Sequence, residues 1–193
     1  MSFLSKILFL SVAFVSPGIA VLAQETNHKW AVVEFSANFM REAPDYAAEL
    51  GDQALMGTVV EILDKSGYWV KIKSPEPYTA WVNEMGLVPM DEKGLMDYLE
   101  APKYICTASL THVYEEPSTD SRIVSDFVLG DIVRISYSAK THSYGRYSGY
   151  EEGRAVLKKH FVGVVLPSGK TGFVPAKDLD VFYKWAKDRK DRA

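Results

Sequence analysis

Short runs rich in Val, Ile, Trp, Tyr and Phe recur along the chain, each bounded by Gly, Pro, Ser or Asp, which is the pattern of strands joined by turns. Tyr68 to Lys73 shows the alternation most cleanly: Val70 and Ile72 are predicted to face a core while Lys71 and Lys73 face water. Two stretches have a different period. Asp91 to Ala101 carries Leu95, Met96 and Leu99 at helical spacing and stops at Pro102, and Asp178 to Arg192 places Leu179, Phe182, Tyr183 and Ala186 on one predicted apolar face.

The strand pattern occurs twice. Arg41-Glu42-Ala43-Pro44 is answered by Tyr114-Glu115-Glu116-Pro117, and Met56 to Ile62 by Leu129 to Ile135, both at an offset of 73. Trp69-Val70-Lys71-Ile72 is answered by Phe161-Val162-Gly163-Val164, and Thr79-Ala80-Trp81-Val82 by Thr171-Gly172-Phe173-Val174, at an offset of 92. The second copy therefore holds 92 − 73 = 19 extra residues, within Ser136 to His160, a stretch with four tyrosines that reads as a projecting hairpin or loop. About five runs in each copy of roughly 60 to 80 residues suit a small, partly open barrel better than a sandwich. The expected fold is mainly all-β: two tandem small barrels over 28–90 and 102–176, a linker helix over 91–101 and a C-terminal helix over 177–193.

The N-terminus reads as an export signal. Lys6 lies in a short basic start, Ile7 to Val15 is almost wholly apolar, and Val21-Leu22-Ala23 supplies the small residues of a cleavage site, so 1–23 is expected to be removed. The apolar stretch is about half the ~20 residues of a bilayer-spanning helix, so no transmembrane span is expected and the product is exported, periplasmic or cell-wall associated. Subtracting the leader leaves 193 − 23 = 170 residues, with 21 basic and 25 acidic side chains. That balance excludes nucleic acid as a natural partner.

Candidate chemistry is sparse. The single cysteine, Cys106, excludes an internal disulfide, and the four histidines show no metal-ligand spacing, so neither metal nor cofactor is expected. A strand through Cys106 would bring His112 onto the same face, but an apolar run offers nothing to lower a thiol pKa, and a buried structural cysteine is expected. The first copy is acidic: Glu34, Glu42, Asp45, Glu49, Asp52 and Glu61 are offset by Arg41 alone between Glu34 and Leu63. Carboxylates beside an aromatic face suit a peptide ammonium, through a charge-assisted hydrogen bond and a cation–π contact of about 0.5–2 kcal/mol.

Asn38 to Pro44, Gln53 to Thr58 and Tyr78-Thr79-Ala80-Trp81-Val82 resemble the first bacterial SH3 (SH3b) domain of the NlpC/p60 cell-wall endopeptidases. Val124 to Gly130 and Leu166 to Pro175 resemble the second. The resemblance implies tandem SH3b domains that contact peptidoglycan stem peptides, with a tyrosine and an acidic residue holding the free L-Ala end. The tyrosine falls on Tyr78; the acidic position falls on Gly51, which leaves Glu49 or Asp52 to replace it, with Trp81 on the adjoining strand. The family's Asp-Cys-Ser-Gly catalytic motif is absent from this sequence. Two readings follow: an exported, non-catalytic stem-peptide binding module, or the recognition part of an NlpC/p60 γ-D-glutamyl-diamino acid endopeptidase whose cysteine peptidase domain is missing or separate.

Overall fold

The computed structural model describes residues 28–136 and 161–190; the leader and all but the first residue of the tyrosine-rich insertion lie outside them. Among the described residues, fourteen strands form two antiparallel seven-stranded sheets. The first comprises β1 (Trp30–Val33), β2 (Ala37–Arg41), β3 (Leu50–Leu55), β4 (Val59–Ser66), β5 (Trp69–Lys73), β6 (Thr79–Asn83) and β7 (Leu87–Met90). Helix α1 (Glu92–Glu100) follows. The second sheet comprises β8 (Lys103–Cys106), β9 (Leu110–Tyr114), β10 (Ile123–Val128), β11 (Ile132–Ile135), β12 (Phe161–Val165), β13 (Thr171–Pro175) and β14 (Leu179–Val181), and α2 (Phe182–Lys190) ends the described chain.

The spatial order is β3-β2-β6-β5-β4-β1-β7 in the first sheet and β10-β9-β13-β12-β11-β8-β14 in the second, the same order with every strand advanced by seven. Register repeats as well. Arg41 pairs with Trp81, and Tyr114 with Phe173, at 114 − 41 = 73 and 173 − 81 = 92. Val33 pairs with Leu87 and Cys106 with Leu179, at the same two offsets. Both sheets are open, and each holds more strands than the sequence pattern suggested. Leu50–Leu55 was hard to foresee as a strand because Gly51, Asp52 and Gln53 interrupt its apolar character.

Alternation places Val70, Ile72, Ala80 and Val82 in the first core with Ala31, Val33, Met40 and Val60. The second core centres on Tyr104, Cys106, Val113, Phe127, Val133, Val164 and Val174. Cys106 is buried there, and burial pushes its thiol up to about 11. His112 does not share its face: it lies on a different strand, β9, with Nδ1 2.9 Å from Asp126 Oδ1.

Both helices differ in detail from expectation. Asp91 caps α1 by accepting from the Gly94 N–H at 2.6 Å, which makes a glycine in the first turn serviceable. Its buried face is Leu95 and Tyr98, whereas Met96 and Leu99 stay exposed. The C-terminal helix begins at Phe182 rather than Asp178, because Leu179–Val181 pairs with β8 as the last strand of the second sheet. On α2, Phe182 stacks on Trp185 at 6.5 Å while Tyr183 is exposed.

Equivalent turns hold the two sheets together. The β3–β4 turn at Leu55 to Thr58 meets the β10–β11 turn at Val128 to Asp131, each with a glycine at positive φ, +84° at Gly57 and +97° at Gly130. Met56 leaves its own core and is buried in the second one. The fully buried Asp131 carboxylate accepts from the Met56 N–H at 3.0 Å and from the Val128 N–H at 2.8 Å, while the Ile132 N–H donates to the Met56 carbonyl at 2.9 Å. Burial raises the Asp131 carboxyl to about 7, against the two hydrogen bonds that favour its charge. From α1, the Tyr98 hydroxyl donates to the Gly57 carbonyl at 2.9 Å, and Glu34 accepts from the Ser168 N–H and hydroxyl at 2.8 and 2.5 Å.

Candidate functional site

The acidic face expected on the first sheet divides in the structure. Glu34 is committed to Ser168 and Glu61 lies 3.5 Å from Lys29, leaving Glu42, Asp45, Glu49 and Asp52 exposed along the β2–β3 hairpin. That hairpin is shaped by its own backbone. The Glu42 N–H donates to the Glu49 carbonyl at 3.1 Å, Arg41 Nη1 donates to the Ala48 carbonyl at 2.6 Å, and the register slips at Met40/Arg41. The bulge re-aims the residues after it, as bulges beside binding sites do.

Tyr78 immediately precedes β6. It packs against the first core, and its ring reaches across to β3. A Cβ added at Gly51 would stand 2.0 Å from the Tyr78 hydroxyl oxygen, so the phenol occupies the volume that any side chain at 51 would need. The absence of an acidic residue at 51 thus has a steric counterpart: tyrosine and glycine fit as a pair. Asp52 follows directly. One of its oxygens accepts from the Gln53 N–H at 2.7 Å, and the side chain is exposed. Glu49 is exposed two residues before Gly51.

Trp81 lies elsewhere. Along β6 the buried residues are Ala80 and Val82, so Trp81 points to the outer face, between Arg41 on β2 and Lys71 on β5. Lys71 Nζ stands 6.0 Å from the Trp81 ring. The structure therefore brings Tyr78 against Gly51, next to Asp52 in β3, and sets Trp81 on the outer face of the sheet.

Sequence reasoning did not find a second aromatic group on that outer face. Tyr46, from the β2–β3 hairpin, stands edge-on to Trp69 at 4.8 Å, and its hydroxyl accepts from Asn83 Nδ2 at 2.6 Å. The strand alternation that puts Trp69 and Lys71 on one face was a usable signal; the loop position of Tyr46 was not. A cleft of about 640 Å³, which includes Lys29, Ile62, Asp64, Glu84 and Pro89 in its walls, contains none of the four candidate residues.

Among the described residues, no group of three or more His, Cys, Asp or Glu side chains is placed to hold a metal ion. None of their helices is long and apolar enough to cross a membrane.

Comparison with known proteins agrees with the first sheet's architecture. Residues 36–88 match the bacterial SH3 domain, a span that includes β2 to β6 and all four candidate residues. No curated protein matches the chain. Among solved structures, an NlpC/p60 family protein from Bacillus cereus ATCC 10987 is similar at a TM-score of 0.57 and 18% identity, with 79% of this chain and 56% of that one covered. An NlpC/p60 endopeptidase from Photobacterium damselae subsp. piscicida is similar at a TM-score of 0.50 and 13% identity, over 80% of this chain and 34% of that one. This chain thus spans about half, or a third, of the length of those two proteins, and at such identities the likeness is one of fold. It is a mainly β protein, residues 36–88 of which are similar to the bacterial SH3 domain.

Proposed function

We propose that this chain is an exported, non-catalytic module that binds peptidoglycan stem peptides through its first SH3b domain, at a subsite formed by Tyr78, Asp52 and Glu49. The observation that carries the reading is the fit of the Tyr78 phenol over Gly51, the residue that precedes the exposed Asp52 in β3. An ammonium such as the free amine of an N-terminal L-Ala would donate charge-assisted hydrogen bonds to the Asp52 carboxylate and to the Tyr78 phenol oxygen. Support also comes from the bacterial SH3 match over these residues and from the NlpC/p60 proteins of similar fold.

No hydrolysis by this chain alone is part of the proposal. The Cys106 thiol is buried with its pKa raised to about 11, so it is protonated near neutral pH. Titrating L-Ala-γ-D-Glu-diaminopimelate against the wild type, Tyr78→Phe and Asp52→Asn tests the subsite. Each variant is expected to weaken binding about tenfold, and equal affinity in all three would remove the subsite from consideration. Release of L-Ala-γ-D-Glu by the wild type would overturn the non-catalytic part.

A second reading is favoured by the greater length of the two similar solved proteins: the chain would serve as the recognition part of a γ-D-glutamyl-diamino acid endopeptidase whose cysteine peptidase domain is separate. Adding a separately expressed NlpC/p60 catalytic domain distinguishes the two. Tighter substrate use in the presence of this chain supports the second reading, and no change supports the free-standing binder.

A further inference from the structure

The outer face of the first sheet carries a row of cations and aromatic rings that the stem-peptide subsite does not use. Register places Trp69 opposite Asn83, Lys71 opposite Trp81 and Lys73 opposite Thr79, with Arg41 on the other side of Trp81. Tyr46 extends the row from its hairpin, pinned by its ring contact to Trp69 and its hydrogen bond from Asn83, while 69% of its surface stays exposed.

None of the three cations makes an ion pair within 4 Å among the described residues, although carboxylates lie across the strand pairing. Asp64 faces Lys71 in register, but Asp64 Oδ1 accepts from the Lys65 N–H at 2.8 Å. Glu61 faces Lys73, but its carboxylate lies 3.5 Å from Lys29. Arg41 spends one N–H on the Ala48 carbonyl.

The scaffold does not require this row. At the equivalent positions the second sheet has Tyr114 for Arg41, Phe161 for Trp69, Gly163 for Lys71, Val165 for Lys73, Phe173 for Trp81 and Pro175 for Asn83, in the same register. The same strands pair without a single cation there, so strand pairing does not require the charges of the first sheet.

We propose that the outer face of the first sheet binds an acidic polysaccharide, its pyranose rings against Tyr46 and Trp81 and its carboxylates on Arg41, Lys71 and Lys73. A pyranose presents a flat C–H face that packs on the electron-rich face of an aromatic ring, and a carboxylate is best met by cations that have no competing partner. An extended peptide is a poorer fit. Strands β5 and β6 are interior to the sheet, paired on both sides, so they offer no free backbone groups for strand addition. This site lies on the opposite face from Tyr78 and does not depend on the stem-peptide reading.

Titration of ¹⁵N-labelled protein with tetragalacturonate, followed at the tryptophan indole N–H signals, tests it. The Trp69 and Trp81 signals are expected to move while Trp30 does not. Lys71→Gln and Arg41→Gln should each weaken binding at least fivefold, Lys71→Arg should restore most of it, and Tyr78→Phe should leave it unchanged. The undisplaced Trp30 signal reports that each variant is folded. No movement at millimolar tetragalacturonate would overturn the proposal, as would an equal response to tetraglutamate, which would mean charge alone, or to neutral chitotetraose, which would mean rings alone.

Discussion

The two sheets share strand order, register and turns yet fill their cores differently. Ala31 and Ala54 in the first become Tyr104 and Phe127 in the second, while Met40 and Ala80 become Val113 and Gly172. Bulk moves from one wall to another. A Cβ at Gly172 would stand 2.4 Å from Val113 Cγ1, where the first sheet accommodates Ala80 against the more pliable Met40. Topology is thus fixed by alternation and by the glycine turns, and tolerates redistribution of volume. The outer and edge positions differ in chemistry instead: Gly51, Asp52 and Tyr78 become Val124, Ser125 and Lys170, so the second sheet has neither the glycine, the carboxylate nor the phenol.

The largest expected effect separates the cores. Phe127→Ala should cost about 3–5 kcal/mol in chemical denaturation, because the ring is fully buried and its cavity has no filler, whereas Ala54→Gly at the equivalent site should cost only about 1 kcal/mol. Equal costs would mean that the two cores are not packed as described. The joint comes next. Asp131→Ala strands two N–H groups, one from each side of the joint, at about 1–3 kcal/mol each, and Thr58, its counterpart in the first sheet, should be replaceable by alanine at a fraction of that cost.

The charge state of Asp131 gives the joint a pH signature. Its folded pKa of about 7 lies above the ordinary carboxylate value, so the folded state holds this proton to higher pH than the unfolded chain does. The resulting contribution to stability is complete below about pH 4 and is lost as pH rises through about 7. Asp131→Asn should flatten the fall in thermal midpoint between about pH 4 and 7. A slope unchanged by the substitution would assign that proton elsewhere.

The smallest effect on stability should come with a large effect on binding. Gly51→Val, which installs the second sheet's residue, must displace the Tyr78 phenol; it should lower stem-peptide affinity about tenfold while changing stability by less than about 1 kcal/mol, since the ring end can swing into solvent. Undiminished affinity would detach the Tyr78–Gly51 fit from ligand binding.

The repeat was legible because strand period and turn glycines are local properties, and the offsets of 73 and 92 reappear as backbone register. What could not be read was decided by distant partners. Met56 looks like any apolar residue before a turn, yet it belongs to the second core, and Tyr98 rather than Leu99 is buried because a carbonyl of the joint takes its hydroxyl. The same limit applied to the candidate residues. The resemblance grouped Tyr78, Asp52, Glu49 and Trp81 in one site, but only alternation against the actual core shows that Trp81 lies on the far face.

The most direct test of the difference between the sheets is a backbone amide map of the ¹⁵N-labelled protein titrated with L-Ala-γ-D-Glu-diaminopimelate. Shifts are expected at Glu49, Gly51, Asp52 and Tyr78 and not at their counterparts Arg122, Val124, Ser125 and Lys170. Shifts confined to the second sheet, or spread equally over both, would contradict a stem-peptide site built on the first.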